Sequence, residues 1–137
     1  MHIDSIKDGV VIDHIEAGKG LFIYNLLDFG ALDCPVAIIT NVNSKKMGKK
    51  DIIKLDAKVD LNFDVLGYID TGITVDIIRD GKLTQKKHLE LPEKICDVIS
   101  CKNPRCISTT EQSLQQVFEL TDRENKVYRC LYCEAKA

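Results

Sequence analysis

Four cysteines near the C-terminal end, Cys101, Cys106, Cys130 and Cys133, constrain this chain more than any other feature. They read Cys-x4-Cys and Cys-x2-Cys, with 23 residues between the pairs. Two close pairs around a hairpin-length insert suit a tetrahedral metal, because each pair grips one edge of the tetrahedron from a tight turn. The last histidine is His88, so the expected ligand set is four thiolates. Zinc is the first expectation, and a closed four-sulfur zinc site is structural, with no position open for water or substrate. Rubredoxin-like iron stays open, since sulfur ligands separate the two metals poorly. Disulfides would require an oxidising compartment, yet the start MHIDSIKDGVVID lacks the charged segment and apolar run of a leader. Reduced cysteines and that start point to a cytoplasmic protein. Cys34 and Cys96 fall outside the spacing, and buried, inert thiols are expected for both.

At 137 residues the chain suits one ordinary domain or two small ones. A division is expected at Leu91-Pro92, giving domains 1–91 and 92–137; the link is short and proline-bearing, as between domains held close together. A module of about 40 residues buries too little apolar surface to fold unaided, so the metal supplies much of its stability. Apolar runs such as Val36 to Ile39 are far too short to span a bilayer, so no membrane partner is expected.

Hydrophobic periodicity orders the first 90 residues. Strands are expected at Val10–Ile15, Pro35–Val42, Ile52–Leu55, Ile73–Ile78 and Leu83–Leu89, the last two joined across Asp80-Gly81, a strong hairpin signal. Helices are expected at Leu21–Phe29, where Phe22 pairs with Leu26 and Ile23 with Leu27, and around Phe63, Leu66 and Ile69 with Asn62 as cap. Strand, helix, strand, strand, helix, strand is the split β-α-β order of a ferredoxin-like sheet. The fold class is therefore α+β: a ferredoxin-like β-α-β-β-α-β domain followed by a small zinc-ribbon-like β domain. Within the latter, Val117–Leu120 and Val127–Leu131 flank Asp122-Arg123-Glu124-Asn125 as a second hairpin.

No catalytic constellation is visible: there is no Gly-x-Ser-x-Gly, no phosphate-cradling glycine loop and no His-Glu-x-x-His. A binding or regulatory protein is favoured over an enzyme. Residues 44–54, SKKMGKKDIIK, hold five lysines against one acid in a chain of net charge −2. Such a run is either a solvated loop entering a strand or an anion site. On a strand, Lys50 and Lys54 project from one face, roughly 13 Å apart, while Ile53 and Leu55 face the core. Lys86 and Lys87 on the second hairpin strand can reach the same region. Asp13-His14 on the first strand reads as a structural histidine held by its neighbour or as the edge of a ligand site. From Lys94 onward, seven basic residues meet six acidic ones. Four thiolates and one zinc ion add about −2. The module is a poor footprint for a phosphate backbone, which weakens the rival reading of a free-standing nucleic-acid-binding zinc ribbon. A rubredoxin-like redox carrier is the other rival.

Taken together, Gly9-Val-Val-Ile-Asp-His-Ile15, Met47-Gly-Lys-Lys-Asp-Ile-Ile-Lys54, Leu91-Pro-Glu-Lys-Ile95 and Asn103-Pro-Arg-Cys-Ile-Ser108 resemble the regulatory chains of aspartate carbamoyltransferase, an enzyme of pyrimidine biosynthesis, over essentially the whole chain. The resemblance implies an allosteric nucleotide-binding domain for CTP or ATP that pairs with a second regulatory chain. It also implies a zinc domain that docks on the catalytic chain, where the active sites lie, within a larger hetero-oligomer. By motif, Asp13, His14, Lys50, Lys54 and Lys86 match nucleotide-site positions, with Lys86 near the triphosphate; Ile3, Asp4, Ser5 and Ile6 match the stretch whose backbone meets the base. Asp76 stands at a site position where the pattern has an asparagine, and Gly81 where it has a tyrosine.

Overall fold

A computed structural model describes residues 7–137 of the chain. It divides into two compact units: one runs through Phe63 and resumes at Asp70–Leu89, and the other comprises Asp64–Ile69 with Glu90–Ala137.

The first unit is a five-stranded sheet, all of whose neighbouring strands are antiparallel. Its strands are β1 (Gly9–Glu16), β2 (Val36–Ser44), β3 (Gly48–Leu55), β4 (Thr74–Arg79) and β5 (Lys82–His88), in the order β2-β3-β1-β4-β5. Period-two alternation places Val10, Ile12, Ile53, Leu55 and Val75 in the core, each at most 2% exposed. Helix α1 (Gly20–Leu26) follows β1 and packs against β2 and β3 through Ile23. The Asp80-Gly81 hairpin forms as expected: both residues have positive φ, 53° and 74°, the signature of a two-residue turn whose twist matches its strands.

The expected helix over Leu21–Phe29 is shorter in the structure. It ends at Leu26, Asp28 turns left-handed at φ 55°, and a 3-10 turn covers Phe29–Ala31. Only part of its apolar spacing is buried: Ile23 is fully covered, whereas Phe22 is 54% and Leu26 38% exposed. Strand β3 begins at Gly48, earlier than Ile52, so Lys50 lies on the strand.

The fold is irregular where β1, β2 and β3 meet. Pairing slips between Ile12 and Ile15 on β1 and between Ile39 and Val42 on β2. Both irregularities surround Asp51, a fully buried carboxylate. Asp51 accepts the backbone N–H groups of Gly18, Gly20 and Asn41 at 3.1, 2.9 and 3.1 Å. Gly20 is buried, and without this acceptor its N–H would be left unpaired at a cost of about 1–3 kcal/mol; Gly18 and Asn41 lie nearer the surface. Gly20 is required there because a Cβ would lie 2.8 Å from the Asp51 carboxylate.

The second unit carries a three-stranded antiparallel sheet in the order β6 (Lys94–Cys96), β7 (Val117–Asp122) and β8 (Val127–Cys130). The expected β7–β8 hairpin is present; β6 and the four-residue helix α3 (Ile107–Thr110) were not anticipated. Ile95, Phe118 and Tyr128 pack with Cys101, Cys106 and Cys130 in one buried cluster. Helix α2 (Phe63–Ile69), written in sequence between β3 and β4, groups with this unit from Asp64 onward, and the Tyr68 ring meets Tyr128 edge-on at 5.0 Å.

Candidate metal centre and lysine-bearing sheet face

The four expected ligands converge: their sulfurs all lie within 4.8 Å of one another. Cys101 Sγ is 3.6 Å from Cys133 Sγ, and Cys106 Sγ is 3.7 Å from Cys130 Sγ. A tetrahedral site with metal–sulfur bonds of about 2.3 Å has sulfur–sulfur edges of about 3.8 Å, so the set fits one metal ion. All six cysteines are free thiols. Each ligand pair sits on a tight turn. In the first, Cys106 N–H donates to the Asn103 carbonyl at 3.1 Å and Arg105 N–H to the Asn103 side chain at 3.0 Å. In the second, Glu134, with φ 64°, donates to the Cys130 carbonyl at 2.9 Å.

The sulfurs differ in their readiness to ionise. Burial pushes the Cys101 thiol up to about 12, whereas the Ser108 hydroxyl, 3.0 Å from Cys106 Sγ, draws that thiol down to about 6. A bound metal takes all four as thiolates, so binding releases protons and strengthens as pH rises. Cys34 is half-buried rather than buried, and Cys96 is exposed, which corrects the expectation for both. Cys96 alternates with the buried Ile95 on β6 and therefore faces outward.

On the sheet, the cross-strand register aligns Lys54 (β3), Val11 (β1), Asp76 (β4) and Lys86 (β5) in one row on the face opposite the core. One step along β1 on that face, Asp13 forms an ion pair with Lys50 at 2.9 Å. Burial alone would raise the Asp13 carboxyl; the Lys50 ammonium and the His14 backbone N–H hold it below its ordinary value. His14 takes a left-handed φ of 59° at the β1 bulge, and its Nδ1 lies 2.8 Å from Thr74 Oγ1. Asp13, His14 and Lys50 are thus linked, while Lys54, Asp76 and Lys86 share the adjacent row. Among the described residues, Lys54 and Lys86 have no ion-pair partner, and Asp76 Oδ1 is buried without a hydrogen bond. Asp4, Ser5 and Ile6, like Ile3, lie outside the described residues.

Sequence reasoning missed three supports: Asp51 beneath the bulges, Thr74 against the His14 ring, and the polar contacts of Ser108 behind Cys106. A lone acid within the lysine-rich segment was the available signal for Asp51; Thr74 and Ser108 had none.

A sheet with a charged outer face in one unit, and a metal module closed by four thiolates in the other, define a two-part metal-binding protein. The family described as aspartate carbamoyltransferase regulatory chain, allosteric domain, matches residues 1–90, and its metal binding domain matches residues 93–137. The chain belongs to the aspartate carbamoyltransferase regulatory chain family. The chain is 53% identical to the regulatory chain of Clostridium tetani over 133 residues, covering 96% of this chain and 92% of that one. It is 48% identical to that of Clostridium acetobutylicum over 132 residues (96% and 90%) and 43% identical to that of Bifidobacterium longum over 137 residues (100% and 99%). A regulatory chain is a non-catalytic subunit. The rival readings of a nucleic-acid-binding ribbon and a redox carrier are not favoured. Among the described residues, no helix is long and apolar enough to cross a membrane.

Proposed function

We propose that this chain binds CTP and ATP on the outer face of its first sheet and passes their effect to the catalytic chain of aspartate carbamoyltransferase through a zinc-stabilised domain. The observation that carries the nucleotide reading is the row Lys54–Val11–Asp76–Lys86, where two ammonium groups without ion-pair partners among the described residues face outward beside the linked Asp13, His14 and Lys50. Lysine suits a polyphosphate, which presents concentrated negative charge to a flexible point cation. Asp4, Ser5 and Ile6 complete the proposed site by motif. Zinc is the proposed metal because four thiolates at near-tetrahedral spacing form a closed structural site.

The strand order β2-β3-β1-β4, antiparallel throughout with a helix after β1 and another after β3, supports classing the sheet as ferredoxin-like with β5 added at its edge. We assign residues 1–91 to the allosteric domain and 92–137 to the zinc domain, in a regulatory-chain homodimer within a cytoplasmic hetero-oligomer.

Coupling of this kind is worth about 1–3 kcal/mol and is reciprocal, so substrate on the partner must shift nucleotide affinity by the same factor. Titrating CTP and ATP into the assembled complex, with and without a substrate analogue, checks it. Different nucleotide affinities in the two states are expected, and identical ones would refute the allosteric reading.

A further inference from the structure

We propose that Ser108 and Gln116 form an outer brace of the metal centre, with Ser108 setting the electron density on the Cys106 sulfur and Gln116 holding the spacing of the first cysteine pair. This rests on the reading that the four cysteines hold a metal. Ser108 is buried, 4% exposed, and its hydroxyl lies 3.0 Å from Cys106 Sγ. Toward a metal-bound thiolate, which has no proton to give, the hydroxyl is the donor.

The same residue is held from its other side. The Gln116 amide nitrogen donates to the Ser108 carbonyl at 2.7 Å, while the Gln116 side-chain oxygen accepts from Cys101 N–H at 3.0 Å. One amide therefore ties the residue where the Cys-x4-Cys turn begins to the helix that follows it. Gln116 is itself fixed by a reciprocal pair with Asp97: its N–H donates to the Asp97 carboxylate at 2.9 Å, and its carbonyl accepts from Asp97 N–H at 2.7 Å. The next residue, Val117, accepts from Leu131 N–H within the second cysteine turn at 2.9 Å. The brace thus stands at the start of β7, the strand that meets both ligand turns.

Partners of this kind orient the ligands of a metal and tune their basicity, and losing one costs about 10–100-fold in metal affinity. A hydroxyl that donates to the Cys106 sulfur withdraws electron density from it. Gln116 reaches backbone groups only, so it acts on geometry and leaves sulfur electronics alone.

The test uses the full chain loaded with Co(II) as a spectroscopic probe and with zinc for kinetics. Ser108→Ala should move the thiolate-to-cobalt charge-transfer band to lower energy and speed zinc transfer to a chromophoric chelator about 10-fold. Ser108→Thr, which retains the hydroxyl, should restore both. Gln116→Leu should speed zinc release by a similar factor with the band unmoved. A wild-type band and release rate in Ser108→Ala overturns the Ser108 assignment; unchanged release in Gln116→Leu overturns that of Gln116. If Ser108→Ala takes up no cobalt, the threonine variant decides: normal loading with the wild-type band supports the brace, and failure to load overturns it. A wild-type chain that binds neither metal defeats the four-thiolate reading itself and the brace with it.

Discussion

The two units place their candidate functional residues on opposite sides of the line between core and surface. In the sheet unit the core is Val10, Ile12, Ile15, Ile23, Ile53, Leu55 and Val75, and the candidate ligand groups Lys54, Asp76 and Lys86 lie on the other face. Each fully buried aliphatic side chain contributes about 1.5–3 kcal/mol, so this sheet stands without its site. In the metal unit, Cys101, Cys106 and Cys130 are members of the hydrophobic cluster. There the site is the core. Site and fold are separable in one unit and inseparable in the other.

Metal removal tests that difference with the largest effect. Structural zinc contributes about 10–16 kcal/mol of apparent binding free energy in small modules, more than a short three-stranded sheet can replace. Chelation of the full chain should abolish amide-exchange protection across β6, β7 and β8 while protection in β1, β3 and β4 survives. Lowering the pH should release the metal in the same way, since protons compete for the thiolates. Intact protection in β7 after complete metal removal would show that Ile95, Phe118 and Tyr128 suffice, and the contrast would collapse.

Asp51 is the residue most able to blur the contrast from the other side, because it is a polar group on which the sheet unit depends. Asp51→Ala leaves three backbone N–H groups without their acceptor. A loss on the order of 4 kcal/mol is expected. Denaturant unfolding of the metal-loaded chain measures it; a change below about 1 kcal/mol would mean that water replaces the carboxylate.

What the sequence disclosed follows the same division. The cysteine pairs were legible because ligand spacing is local within each turn, and the insert between them is a hairpin with its own turn residues. The alternation of Lys50 and Lys54 with Ile53 and Leu55 was legible because a strand has period two. Features set by distant partners were not. Gln116 reaches residues 101 and 108, Asp51 collects donors from residues 18, 20 and 41, and β6 is three residues long and recognisable only beside β7. Helix α2 was expected beside its sequence neighbours in the sheet domain, yet from Asp64 it groups with the metal unit through contacts such as Tyr68 with Tyr128. The apolar spacing of α1 over-stated its burial, because periodicity identifies a face without saying what covers it.

Smaller effects belong to the outer face of the sheet. Lys54→Ala and Lys86→Ala should each weaken CTP and ATP binding about 10-fold, the worth of one charge-assisted contact, with thermal stability and metal content unchanged. Normal nucleotide affinity in either variant would remove that residue from the site. Asp13 adds a modest pH dependence. Its carboxyl is depressed in the folded state, so its contribution is complete above the unfolded value of about 3.9 and is lost as pH falls through the lower folded value. Neutralising Lys50 by Lys50→Met should reduce that acid sensitivity in the unfolding curve, since of the two groups only the His14 backbone N–H then remains.

The smallest expected change, and the most specific, is at Asp76. Its carboxylate stands in the row between Lys54 and Lys86, with Oδ1 buried and lacking a hydrogen bond among the described residues. A negative charge there opposes a polyphosphate laid along the lysines, and it partly cancels the field of two cations that have no ion-pair partners among the described residues. Asp76→Asn retains the shape and an acceptor oxygen, removes the charge, and supplies an N–H donor. Binding of nucleoside triphosphates should tighten several-fold, about 1 kcal/mol, with a smaller gain for the monophosphate because fewer charges are repelled. Calorimetric titration of the variant with the mono- and triphosphates checks both the sign and the order. Equal gains for the two ligands would place the phosphates away from this row, and weaker binding of both would mean that the carboxylate accepts a hydrogen bond from the nucleotide itself.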